Sequence, residues 1–353
     1  MIRSTDTHAP GCESSRAFCF LRGSLRRALC HLLGRIGGET GCAAHLRTLA
    51  LLLAAPLLLA ACAAPQTSRM LSGSAPPAPA QIAQVPFIPQ AELQCGPAAT
   101  AMVLQFHGKA VTAESLAPQM MLPAAGGSLQ IELQTAARRA GMLATVLPPR
   151  LPALLDEVAA GQPVIVLQNL SLPALPRWHY AVVIGHNAAR REITLHSGTT
   201  PGMVMKLDTF EHTWARSGYW ALAITPPGQL PRTATQEQAG LAASALERTD
   251  AQAAATAYRA LLARWPDDLV ALMGLGNLAW KLGDRAAAAE HWQRATTAHP
   301  KAADAWNNLA QARLALGDRA GALVAARKAV EIGGARSGVY AATLAQVQAD
   351  SQL

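Results

Sequence analysis

The sequence predicts two domains, an α+β domain over residues 85–225 and an all-α repeat domain over residues 239–353. Three observations predict this. Between Cys95 and Ile224, segments of helical period come first, and short β-branched runs separated by polar turns come afterwards. Beyond residue 249 the landmarks Asp250, Asp284 and Asp318 recur every 34 residues. Between the two lies a stretch rich in Pro, Gly, Thr and Gln, residues 226–238, which reads as a linker.

Composition sets the outer bounds. A chain of 353 residues is long enough for two ordinary domains with extra segments. With 51% hydrophobic and 15% charged residues it is not a wholly disordered chain. The formal net charge is +8, but seven Arg against three acidic residues before Cys62 account for +4 of it, leaving +4 over the rest. That is no nucleic-acid footprint, and no nucleic-acid partner is expected.

Residues 48–61 form an apolar run behind His45 and Arg47 and lead into Cys62. A short basic flank, an apolar core broken by Pro56 and small residues at its end describe a secretory signal rather than a membrane span. Leu59-Ala60-Ala61-Cys62 resembles a bacterial lipobox, which implies that Cys62 is lipidated and holds the protein at the cell envelope, on the periplasmic face of the outer membrane. An ordinary signal peptide cut nearby is the alternative. Residues 62–84, rich in Ala, Pro, Ser and Gln, are expected to be a flexible tether. Residues 1–61 are leader and signal; within them 1–44 are expected to stem from a start assigned too far upstream, with the true start near Leu46, a long signal n-region being the alternative.

The α+β domain opens on Val85-Pro-Phe-Ile-Pro-Gln90, continued to Cys95-Gly-Pro-Ala-Ala. Gly96 and Pro97 break an extended segment and begin a helix, since proline is tolerated in a first helical turn. Ala98, Ala101, Met102, Leu104 and Phe106 give that helix an apolar face. Cys95 is thereby fixed at a helix mouth, where unpaired N–H groups and the helix dipole favour a thiolate. Of six cysteines four fall in the leader and Cys62 is the lipid site, so Cys95 alone remains in the body, without a disulfide partner or a cysteine metal set. Gln90, or alternatively Gln94, can aim an amide N–H at an oxyanion formed over Cys95.

Helices are then expected over 113–120, over 129–140 with Ser128 as N-cap, and over 152–160 closed by Gly161. A short strand covers 143–147, and Pro163 to Gln168 suits a buried central strand. His179 opens a further strand, Arg191 to His196 forms the next, Met203 to Leu207 another, and Thr209 to Arg216 a helix. A thiol nucleophile needs an imidazole within hydrogen-bond reach. His107 lies about 18 Å along the Cys95 helix, and His186 about 23 Å from His179 at the far end of one strand. His212 sits in a helix and His196 ends a strand, which leaves His179, between Trp178 and Tyr180, as the base.

Gln-x4-Cys-Gly-Pro-Ala-Ala followed by His179-Tyr-x-Val-Val-x-Gly resembles the two motifs of papain-like cysteine peptidases of family C39, which process bacteriocins after double-glycine leaders. The resemblance covers roughly residues 85–224 and implies a papain-like fold, Cys95 as nucleophile, His179 as base and acid, Gln90 as oxyanion donor, and no metal or cofactor. Family members place an Asp-Pro after the histidine strand to orient the imidazole. Here the position reads Leu195-His196-Ser197-Gly198. Ser197 is one candidate third member and Asn187 another, while Ser197-Gly198 also reads as a plain turn.

In the second domain Gly283-Asp-Arg-Ala recurs as Gly317-Asp-Arg-Ala, and Pro266/Pro300, Leu275/Leu309, Ala288/Ala322, Ala295/Ala329 and Tyr258/Trp292 keep the same period. This resembles tetratricopeptide repeats, with two full units, a degenerate one before them and a closing helix from about Ser337 to Gln348. Such stacks recruit a protein partner along a concave face. The sequence therefore points to an envelope lipoprotein cysteine peptidase acting on peptide or protein substrates, with a partner held by the repeats. A non-catalytic adaptor that keeps the fold as a peptide cradle is the alternative. Removing residues 236–353 is expected to spare the chemistry.

Overall fold

The computed structural model describes residues 64–73, 76–90, 93–122 and 127–350. The apolar run over 48–61, Cys62 and the leader cysteines lie outside the described residues. Among the described residues no helix is long and apolar enough to cross a membrane.

The flexible tether expected over 62–84 is corrected by the first described element. Helix α1 (Pro65–Leu71) carries proline in its first turn. Its leading N–H groups have no acceptor within the helix. The buried carboxylate of Glu211 supplies one, accepting from the Gln66 and Thr67 N–H groups at 2.9 and 2.6 Å. The Gln66 side chain in turn accepts from the Leu151 N–H at 2.6 Å. Strand β1 (Ala80–Gln81) pairs antiparallel with His186 and Gly185, and Ile82 and Val85 enter the core. Composition misses all this because every partner lies far along the chain.

Helix α2 (Cys95–Phe106) starts two residues before Pro97 and is buried from Gly96 through Leu104. It is thus a central helix rather than one with a single apolar face, and its Ala98, Ala99 and Ala101 let neighbours approach from several sides. Helix α3 (Ala113–Met120) begins with a reciprocal capping box between Thr112 and Ser115. Helix α4 (Gln130–Arg139) has Leu129 at its N-cap with no side-chain bond, so the cap expected of Ser128 is absent. The Ser128 hydroxyl instead faces the Met121 sulfur at 3.8 Å, and its carbonyl accepts from the Tyr180 hydroxyl at 3.2 Å.

A single antiparallel sheet follows. It contains β2 (Leu143–Val146), β3 (Val164–Asn169), β4 (Trp178–Asn187), β5 (Glu192–Ser197), β6 (Thr200–Lys206) and β7 (Ala221–Thr225), in the order β2-β7-β3-β4-β5-β6. Helix α5 (Leu151–Ala159) precedes β3, and α6 (Leu207–Ala215) lies between β6 and β7. Strand β7, like α1 and β1, is not expected from the sequence. It is a short apolar run without alternation, buried at all five positions between β2 and β3. The helices cover this sheet around one core that includes Met102, Leu133, Val166, Val182 and Phe210.

Three helical hairpins and a closing helix complete the described residues. They are α7 (Gln236–Glu247) with α8 (Ala251–Arg264), α9 (Leu269–Lys281) with α10 (Arg285–Ala298), α11 (Ala303–Ala315) with α12 (Arg319–Ile332), and α13 (Ser337–Asp350). The 34-residue period of Asp250, Asp284 and Asp318 has a plain cause. Each aspartate caps the second helix of its hairpin, accepting from the N–H three residues on at 2.9 Å.

The predicted linker is pinned to both sides. The buried carboxylate of Glu157 accepts from the Arg232 N–H at 3.1 Å, the Thr233 N–H at 2.5 Å and the Thr233 hydroxyl at 2.6 Å. The Arg264 guanidinium donates to the carbonyls of Pro231 and Arg232 at 2.8 and 2.6 Å. Leu143 of β2 is buried in one cluster with Ala239, Ala243 and Leu246 of α7. Removing residues 236–353 would therefore bare the outer side of β2.

Candidate active site

Cys95 is the first residue of α2 and lines a cleft of about 950 Å³ together with Gln90, Ser128, His179 and Tyr180. Gly96 is required beside it. A Cβ at that position would lie 2.7 Å from the Cβ and Oγ of Ser128, so only glycine lets the first turn of α2 sit against the segment before α4. On the other side of Cys95, Leu93 holds a φ of 64° with its side chain 55% exposed, an uncommon backbone state for a large residue. Leu93 thus turns the chain two residues before the sulfur, and Gly96 lets the helix pack closely just after it.

His179 lies on β4 one residue before Tyr180, and its Nε2 is 2.9 Å from the Ser197 Oγ. The register explains the contact. Val182 opposes His196 on β5, so Ser197 comes opposite Ala181 and shares a face with His179 as its diagonal neighbour. Ser197 thus occupies the place beside the imidazole, in addition to forming part of the turn into β6. In the tautomer whose Nε2–H donates to the Ser197 oxygen, Nδ1 is the ring nitrogen left to accept a proton.

Asn187, the other proposed third member, is excluded by position. It ends β4 eight residues beyond His179, opposite Glu192, and its side-chain oxygen accepts from the Arg190 N–H at 3.1 Å.

Gln90 is held tightly. Its backbone N–H donates to the Gly198 carbonyl at 3.0 Å, its side-chain oxygen accepts from the Gly198 N–H at 2.9 Å, and its amide nitrogen donates to the Tyr180 carbonyl at 3.2 Å. One amide hydrogen remains beyond these bonds, on a side chain that lines the cleft. Gln94, the alternative donor, is the N-cap residue of α2 and is not among the cleft-lining residues.

His196 explains how Gln90 arrives there, and the sequence reading gave it no role. Its Nε2 donates to the Val85 carbonyl at 3.1 Å, its Nδ1 accepts from the Gly202 N–H at 3.0 Å, and Phe87 packs edge-on against the ring. The imidazole fastens the segment from Val85 to Gln90 along β5 and β6. The remaining histidines are elsewhere: His107 faces the Gln162 amide at 3.3 Å, His186 is buried near the far end of β4, and His212 lies on α6.

Burial decides the charge state of the pair. It pushes the Cys95 thiol up, against the opposing pull of the N–H groups of Tyr180, Gly96 and Cys95 itself. The thiolate expected from the helix mouth is therefore corrected: the N–H groups do favour it, but loss of water weighs more. Burial, with the Arg177 guanidinium adding to it, lowers His179 to about 4. Near neutral pH the cleft holds a protonated thiol and an unprotonated imidazole. No group of three or more His, Cys, Asp or Glu able to hold a metal occurs among the described residues.

Residues 82–222 match the Peptidase_C39 like family model, and residues 240–283 and 273–337 match the tetratricopeptide repeat model. Among solved structures, one described as a C39-like peptidase from Bacillus anthracis is 19% identical, covers 42% of this chain and 98% of its own, and has a TM-score of 0.37. The Sgt2 TPR domain from Aspergillus fumigatus is 22% identical over 36% of this chain and 83% of its own, at a TM-score of 0.31. The type III secretion translocator chaperone SycD from Yersinia enterocolitica is 18% identical over 34% and 87%, at 0.32. A comparison with curated proteins gives no match.

Proposed function

We propose a function for a chain that joins a C39-like peptidase domain at residues 82–222 to tetratricopeptide repeats at residues 240–337: it is an envelope lipoprotein that hydrolyses peptide bonds through Cys95 and His179. The observation that carries the reading is the placing of thiol and imidazole in one cleft, with the imidazole Nε2 tied to Ser197. A peptide carbonyl enters over Cys95. The S–H proton passes to His179 Nδ1 as the sulfur bonds to the carbonyl carbon, and the oxyanion takes the free amide hydrogen of Gln90 and the Cys95 N–H, which has no partner within the helix. The C–N bond then breaks and His179 returns the proton to the leaving amine. Water, deprotonated by the same imidazole, releases the acyl group from sulfur. No metal or cofactor takes part.

Ser197 acts as the orienting third group, weaker than a carboxylate because it cannot stabilise the imidazolium by charge. The repeats hold a protein partner or a substrate tail, and Cys62 carries the lipid that anchors the chain to the periplasmic face of the outer membrane. Cys62→Ala is expected to move the protein from the membrane fraction to the soluble one.

A second reading, a non-catalytic peptide-binding adaptor, is favoured by one observation: burial holds both thiol and imidazole in their neutral forms. An irreversible thiol-directed probe separates the two. The peptidase requires rapid labelling of Cys95 that falls sharply in His179→Ala. Slow labelling indifferent to that change would leave the adaptor.

A further inference from the structure

The cleft around Cys95 carries two features that bond cleavage itself does not use. The first is charge. Arg177 and Arg216 both line it, and no Asp or Glu does so among the described residues; Glu92 lies outside them. Arg216 is spent on structure, its guanidinium donating to the carbonyls of Asn169 and Ser171 at 3.1 and 2.7 Å. Arg177 has no carboxylate partner among the described ion pairs, and its charge reaches His179. The second feature is an apolar rim. Trp178 is 50% exposed on one side, and Leu129 and Leu93 are 46% and 55% exposed on others.

The loop that presents Arg177 and Trp178 is built. Buried Asn169 accepts from the Ser171 and Arg177 N–H groups at 3.0 and 2.9 Å, and the Leu170 N–H donates to the Arg177 carbonyl at 2.9 Å. These bonds fix the hairpin while leaving its Leu172 and Leu175 largely in water. Apolar walls beside an unneutralised cation concentrate its field and reduce the screening of any anion that enters.

We propose that Arg177 is a specificity-determining residue that selects a substrate carboxylate close to the scissile bond, within an otherwise apolar peptide segment. The proposal rests on the peptidase reading above, and it adds the substrate class. The occupant is an apolar, acid-bearing peptide, argued from charge complementarity with Arg177 and from the leucine and tryptophan side chains at the rim. A neutral polar peptide would gain nothing from either feature, and a basic one would be repelled.

The test uses the full chain and matched peptidyl vinyl sulfones, identical except for Glu, Gln or Lys beside the reactive carbon and with leucine at the flanking positions. The rate of Cys95 modification is followed by mass spectrometry. The wild type is expected to prefer Glu over Lys by about fivefold or more, Arg177→Gln to level the rates, and Arg177→Glu to reverse the order. The Glu-to-Lys ratio within each variant cancels any general change in thiol reactivity or folding. Replacing the flanking leucines by serine is expected to slow all three probes in the wild type.

Equal rates for Glu and Lys, or a preference that survives Arg177→Glu, would overturn the proposal while leaving a working thiol site. Iodoacetamide serves as the reference for that distinction. Peptidyl probes no faster than iodoacetamide on the wild type would overturn the peptidase reading, and this proposal with it.

Discussion

The two halves of the chain reach order by opposite routes. In the repeat half the decisive contacts are local: Asp250, Asp284 and Asp318 each cap the helix that begins at the next residue, accepting from the N–H three residues on. Tyr258 presses against the helix after its own and Trp292 against the helix before, both on α9, where Gly274 and Gly276 leave them room. In the peptidase half the site is gathered from Gln90, Cys95, Ser128, His179 and Ser197, on separate elements that meet only when the sheet closes. A repeat can lose an edge contact and keep its neighbours' order. The cleft depends on every segment arriving.

That contrast is most severely tested at the imidazole. His179→Ala removes the proposed base, and peptide hydrolysis is expected to fall about a thousandfold, with the far-UV circular dichroism unchanged. A variant that retains activity would show that the gathered residues do not act as a unit.

The join between the halves comes next. Glu157→Ala leaves the Arg232 and Thr233 donors without their buried acceptor and is expected to cost about 3 kcal/mol. Urea unfolding, followed separately by tryptophan fluorescence and helical ellipticity, should lose its coincidence as the halves uncouple. A single shared transition at unchanged midpoint would make the pinned linker irrelevant.

Within the peptidase half, Gly96→Ala forces its new methyl onto Ser128 and is expected to cost about 1–3 kcal/mol in thermal or chemical denaturation. The same substitution at Gly283, which has nothing within 4 Å of the added Cβ but a φ of 84°, should cost less, from backbone strain alone. Equal costs would remove the distinction between a crowded glycine and a merely left-handed one.

Ser197 gives a smaller effect. Ser197→Ala should lower kcat/KM about tenfold by freeing the ring to turn. Ser197→Asp should act on pH instead. His179 must be unprotonated to serve as base, and with its pKa lowered to about 4 the acid limb of kcat/KM should lie near that pH. A carboxylate beside the imidazole favours the charged ring, so the limb should move upward toward neutrality. An unmoved limb would mean that position 197 does not address the imidazole.

The smallest effect belongs to the repeat surface. Lys281 reaches Glu247 at 2.9 Å across adjacent hairpins but is 66% exposed, so Lys281→Ala should cost less than about 1 kcal/mol in urea.

The sequence by itself determined the repeats, because their period is a local code of caps, turns and small residues. It also singled out Cys95 and His179 through their motifs and their place at strand and helix ends, and left Ser197 and Asn187 as alternatives for the third group. Folding alone decided which side chain stands beside the imidazole, since strand register selects Ser197 and sends Asn187 to the other end of β4. It also decided the thiol's protonation, where lost hydration outweighs the helix mouth, and the docking of α1 and of the linker on Glu211 and Glu157. The common reason is distance along the chain: burial and pairing between remote segments leave no local pattern from which they could be read.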